Sequence, residues 1–188
     1  MMRVYPFAIA FLILSYPACA QPSKESIAQP ANGAWIISET TSPVDYSPQI
    51  TAAIFSQSTA IDAPTTFTIR CRQQRTELLV STSGSWRAMR GGRFVVDYAI
   101  NDQAAVKMLW LASADGRAAI YVDDVVRFLR SLPDGGRIKI SVFDVQGSAH
   151  EATFPLTGLE HVRKKFGEDC KWPPAADRPS PVGTKLRF

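Results

Sequence analysis

Residues 66 to 82 read TFTIRCRQQRTELLVST. Phe67, Ile69 and Cys71 fall on one side of an extended chain and Thr68, Arg70 and Arg72 on the other, the period of two that marks a strand. If Gln73 and Gln74 bend the chain, Arg70 comes opposite Glu77, Ile69 opposite Leu78 and Phe67 opposite Val80. Apolar then meets apolar and arginine meets glutamate, the cross-strand matching that stabilises a sheet. Gln-Gln does not favour the positive φ of the tightest hairpin turns, so the reading expects a longer loop there.

Working outward, alternation recurs along the chain. Trp35 to Ser38 and Thr51 to Ser58 read as strands before the central pair. Phe94, Val96, Tyr98 and Ile100 share one side of a strand over Arg93 to Asn101. Val106, Met108, Trp110 and Ala112 line one side of the next, and after the Asp115-Gly116 turn Ala118 to Val122 returns. Ile138, Ile140 and Val142 alternate, as do Ala152, Phe154 and Leu156. The period changes twice. Val125, Phe128, Leu129 and Leu132 have helical spacing, with Asp123-Asp124 as a cap. Leu159, Val162 and Phe166 face inward on a second short helix, with Arg163, Lys164 and Lys165 outward. Thr157 and Glu160 read there as a capping box. About eight strands joined by short turns predict a mainly β domain: a β-sandwich or a curled antiparallel sheet, with two short helices and one disulfide.

The flanks set the compartment. Residues 1–20, MMRVYPFAIAFLILSYPACA, carry Arg3, an apolar run from Phe7 to Leu14, and Ala18-Cys19-Ala20 as a small-x-small cleavage pattern. They predict a secretory signal cut after Ala20, since the run is shorter than the ~20 apolar residues of a spanning helix. Acylation at Cys19 is the alternative, and Tyr16-Pro17-Ala18 is a poor lipoprotein box. A polar linker over 21–33, one β-rich domain over 34–172 and an extended proline-rich basic tail over 173–188 complete the organisation. The expected location is periplasmic or secreted, with no integral membrane segment in the mature chain.

Cleavage leaves Cys71 and Cys170. In an oxidising compartment two remaining cysteines pair, and this pair closes a loop of about 100 residues, for which chain entropy gives roughly 4–5 kcal/mol. A metal site needs more ligands than these two offer, and His150 and His161 show no ligand spacing with them. No cofactor motif is present. The formal charge of +4 resides largely in residues 171–188, where Lys171, Arg178, Lys185 and Arg187 stand against Asp177. The domain itself is near neutral, and nucleic acid is not an expected partner.

Catalytic patterns are scarce. No serine lies in a nucleophile-elbow context, and there is no phosphate loop or HExxH. A periplasmic cell-wall hydrolase or modifying enzyme would have to use His150 or His161. The feature that stands out is arginine. Arg70, Arg72, Arg75, Arg87, Arg90 and Arg93 fall within 24 residues, with Glu77 the one acid among them. Arginine forks bind carboxylates and phosphates at two points, so an envelope protein or a peptidoglycan-like acidic polymer is the expected partner. The plainer reading of the same charges is that they protect sheet edges from pairing.

Several ordered segments carry a family resemblance: Trp35 with Ser42-Pro43-Val44-Asp45; Thr68-Ile69-Arg70-Cys71-Arg72 with Thr76-Glu77-Leu78; WLASADG from Trp110 to Gly116; Phe154-Pro155-Leu156-Thr157-Gly158-Leu159; and Cys170-Lys171-Trp172-Pro173. Together they resemble the VasI/TagO-like proteins, exported accessory proteins associated with bacterial type VI secretion. The likeness runs from about Trp35 to Pro173. It implies a periplasmic, non-enzymatic role beside an envelope-spanning secretion machine, and no catalytic residues to carry over. Tyr46-Ser47-Pro48, where the family more often has a second Asp, and the basic tail depart from the pattern.

Overall fold

The computed structural model describes residues 35–42, 45–57 and 64–174. The leader and Cys19, the linker, and the tail beyond residue 174 lie outside the described residues.

The central hairpin forms in the expected register. Strand β3 (Thr65–Arg72) pairs antiparallel with β4 (Arg75–Thr82), placing Arg70 opposite Glu77, Ile69 opposite Leu78 and Phe67 opposite Val80. The turn differs from expectation. Arg72 pairs directly with Arg75, so Gln73 and Gln74 alone make the bend, with φ of 51° and 60°. Both lie in the left-handed region that a tight hairpin of right-twisted strands requires. Asp45 supplies a compensation that lies far off in sequence: its Oδ2 accepts a hydrogen bond from Gln73 Nε2 at 2.6 Å.

Seven more strands extend this pair: β1 (Ile36–Thr41), β2 (Pro48–Phe55), β5 (Arg93–Ile100), β6 (Val106–Ala112), β7 (Ala118–Ile120), β8 (Arg137–Phe143) and β9 (Ala149–Pro155). All nine form one antiparallel sheet in the order β1-β2-β3-β4-β7-β6-β5-β8-β9. The sheet curls rather than splitting into a two-layer sandwich. Just past β2, Gln57 donates its N–H to the Thr153 carbonyl of β9 at 2.8 Å. The Phe67 and Phe154 rings meet at 5.5 Å. One apolar core fills the curl, with Phe67, Ile69, Leu78, Phe94, Trp110, Ile140 and Phe154 buried in it. Val106, expected on the inner side of β6, is largely exposed at the strand's open end.

Helices α1 (Val125–Ser131) and α2 (Leu159–Asp169) add Phe128, Leu129, Leu159, Val162 and Phe166 to the same core. Asp124 caps α1 as expected, its Oδ1 accepting from the Arg127 N–H at 2.9 Å. The capping box at α2 does not form. Gly158, at φ 85°, is the N-cap residue and brings no side chain. The Glu160 N–H is satisfied instead by Asp134 Oδ1 at 3.1 Å. Arg163 also departs from its expected outward position, because its guanidinium reaches the carbonyl oxygens at the end of α1.

Cys71 and Cys170 are joined. Their Cα atoms lie 6.0 Å apart, and the bond ties β3 to the residue that ends α2. Around it, the Thr76 hydroxyl donates to Cys170 Sγ at 3.1 Å and accepts from Trp172 Nε1 at 2.7 Å. Arg130 lies 5.7 Å over the Trp172 ring and donates to the Pro173 carbonyl. Among the described residues no helix is long and apolar enough to cross a membrane.

Candidate recognition surface at the hairpin end

The six arginines divide into two sets. Arg70, Arg72 and Arg75 belong to the β3–β4 hairpin at its turn end. Arg87 and Arg90 lie in the connection that leaves the opposite end of β4, and Arg93 opens β5. The seven residue steps of β4 from Arg75 to Thr82 separate the sets by about 23 Å at strand rise. A single six-arginine face therefore does not form.

Within the hairpin set the roles diverge. Arg70 is half-buried and engaged, its Nε donating to Glu77 Oε2 at 3.0 Å. Arg72 Nη1 lies 3.4 Å from the Ser42 hydroxyl. Arg75 is exposed and, among the described residues, makes no ion pair. Asp45 braces this end. The Ser42 and Ser47 hydroxyls hold its carboxyl below the usual carboxylate range, the Ser47 N–H contributes, and the Arg72 charge adds to them.

The disulfide brings a cation that charge counting had assigned to the tail. Lys171 follows Cys170 and lines the same cavity as Arg75. This cavity, about 450 Å³, is a notch in the sheet. Strand β7 pairs with β4 only over Leu79, Val80 and Ser81. Tyr121 still donates its N–H to the Leu78 carbonyl at 2.9 Å, and the chain then leaves for the start of α1. On the edge away from β3, the first residues of β4 are therefore left without a strand beside them. Arg75 and Lys171 form one rim, Asp123 and Asp124 the other, and Leu111 and Val122 an apolar shelf. Burial pushes the Tyr121 phenol up to about 12, with Tyr98 and the two aspartates adding to the shift, so it stays a neutral donor beside the notch.

The histidines lie elsewhere. His150, on β9, has Nε2 3.5 Å from Asp144 Oδ2 and its ring 6.0 Å from that of Trp86. A cavity of about 240 Å³ beside it is lined by Thr65, Thr82, Ser85 and Glu151. Among the described residues no hydroxyl hydrogen-bonds the His150 ring. His161 is exposed on α2. No group of three or more His, Cys, Asp or Glu side chains among the described residues is arranged to hold a metal ion. No protein-family model, curated protein or solved structure matches the chain.

Lys171 escaped sequence reasoning because the joined cysteines stand 99 positions apart, and Asp123 and Asp124 read in the sequence only as the cap of α1. The pairing of Cys71 with Cys170 was the signal that leads to Lys171. The early end of β7 left no mark in its alternation.

Proposed function

We propose that this is an exported accessory protein of the bacterial envelope that acts by recognition and without catalysis, beside a type VI-like secretion machine. The observation that carries the reading is the Cys71–Cys170 bond closing the domain, since structural disulfides belong to oxidising compartments. The signal-like leader agrees with it, and the resemblance to VasI/TagO-like proteins supplies the secretion context. The recognition surface is the cationic hairpin end, with Arg72, Arg75 and Lys171 presented to an acidic envelope protein or wall polymer. Arg87, Arg90 and Arg93, distant from it, serve as the charged border of the sheet.

Two measurements test this. The intact mass of the exported product is expected to match a chain lacking residues 1–20 and two thiol hydrogens. Arg72→Glu with Arg75→Glu is expected to lose capture of envelope partners while melting normally; unchanged capture overturns the recognition surface.

The second reading is a cell-wall hydrolase with His150 as base. Its support is the carboxylate of Asp144 beside the ring, and its weakness is the missing nucleophile contact. Turnover of peptidoglycan fragments that disappears in His150→Ala would establish it.

A further inference from the structure

We propose that the notch between β4 and the start of α1 binds the carboxyl end of a short extended peptide that also carries an amine. The proposal rests on the hairpin end being a recognition surface, and it narrows the partner to a peptide terminus.

The backbone gives the first argument. Successive residues of a strand direct their N–H and C=O groups to opposite neighbours. The Leu78 carbonyl accepts from Tyr121 and the Thr82 N–H donates to the Arg117 carbonyl, so the even-numbered residues of β4 face β7. Thr76 is the next in that series. The pairing with β7 ends at Leu79 opposite Ile120, so the Thr76 N–H and C=O open into the notch. Among the described residues neither group carries a hydrogen bond. An unpaired donor and acceptor on one strand residue are what an added extended chain takes up.

Charge gives the second. Arg75 and Lys171 stand on one rim and, among the described residues, make no ion pair. A guanidinium beside an ammonium suits a terminal carboxylate. On the other rim Asp123 Oδ1 accepts from the Asp124 N–H and Asp124 Oδ1 from the Arg127 N–H. Among the described residues the second oxygen of each carboxylate accepts no hydrogen bond, which leaves it for an amine. Among the described residues no ion pair joins the two rims.

Shape gives the third. Leu111 is 44% exposed and Val122 51% exposed, an apolar shelf that aliphatic side chains can cover. The volume of about 450 Å³ falls in the range of small-ligand sites.

The test uses the oxidised mature chain, isotope-labelled, and three probes: acetyl-Ala-Lys-Ala with a free carboxylate, its carboxamide, and acetyl-Ala-norleucine-Ala with a free carboxylate. The lysyl acid is expected to bind saturably and to slow hydrogen exchange at the Thr76 amide. It should bind about tenfold tighter than the amide and roughly threefold tighter than the norleucine acid. Arg75→Gln with Lys171→Gln should abolish the first preference, and Asp123→Asn the second, with spectra otherwise unchanged. Absence of saturable binding up to about 10 mM, equal affinity for acid and amide, or equal affinity for lysine and norleucine overturns the proposal. Failure here with arginine-dependent capture of envelope partners intact removes the peptide notch and leaves the recognition surface standing. Loss of both removes both.

Discussion

Arg163, on α2, donates to the carbonyl oxygen of Leu132 at 2.6 Å and to that of Leu129 at 3.3 Å, so one helix closes the C-terminal end of the other. The terminal carbonyls of a helix have no partner within it, and a cation there also meets the negative end of the helix dipole. The side chain is only 15% exposed, and its Nη2 is also paired with Glu160. Arg163→Met should therefore cost about 1–3 kcal/mol, the worth of hydrogen bonds from a charged donor. Urea unfolding measures it. Nη1 alone serves both carbonyls while Nη2 serves Glu160, so Arg163→Lys, with one nitrogen for all three, should recover only part of the loss.

Removing the covalent tie should cost more. Cys71→Ser with Cys170→Ser opens a loop of 99 residues, for which chain entropy predicts a loss of about 4–5 kcal/mol. The urea midpoint of the oxidised wild type should match that of the double variant only after reduction. Alkylation of the non-reduced protein should label neither thiol.

The hairpin turn is stabilised from outside, and so is improvable. Gln74 holds φ at 60°, a region where glycine has no side-chain penalty. Gln74→Gly should raise stability by about 0.5–1 kcal/mol. The same change at Gln73 should gain less, because it deletes the bond to Asp45. Thermal melting of the two single variants decides the order.

Asp144 contributes to the acid limb, as do Asp45, Asp115 and Glu151, whose carboxyls are also lowered. Burial pushes its carboxyl up, but the N–H groups of Ser148 and Gln146 and the neighbouring His150 outweigh it, and the group titrates below its ordinary 3.8. A carboxyl depressed by folding contributes its full stability above that ordinary value and loses it as pH falls through the folded value. Asp144→Ala should lower the melting temperature at neutral pH and flatten the fall in stability below pH 3.8. Fluorescence of Trp86, whose ring meets His150, reports the transition.

Strand alternation made most of the sheet legible. The inward positions of β3, β4, β5 and β8 are those the period of two selects, and register followed from pairing Arg70 with Glu77. What escaped depends on partners remote in sequence. Asp45 holds the Gln-Gln turn, Asp134 serves Glu160 in place of a capping box, and Arg163 turns from solvent to a neighbouring helix. Local propensity contains none of these. Six arginines in a short span suggested one patch, yet β4 runs nearly its full length between the two sets and carries them apart.

The disulfide has a mechanical corollary. Load applied between Trp35 and Pro174 can unzip β1, β2 and β3 as far as Cys71, but it passes through the sulfurs at Cys71 and Cys170 and bypasses everything between them. On the order of 340 Å of contour, at the reach of a fully extended chain, stays hidden from a stretching force until a reductant severs the bond. The three-residue β7, on which the two halves of the sheet join, is thereby spared tension.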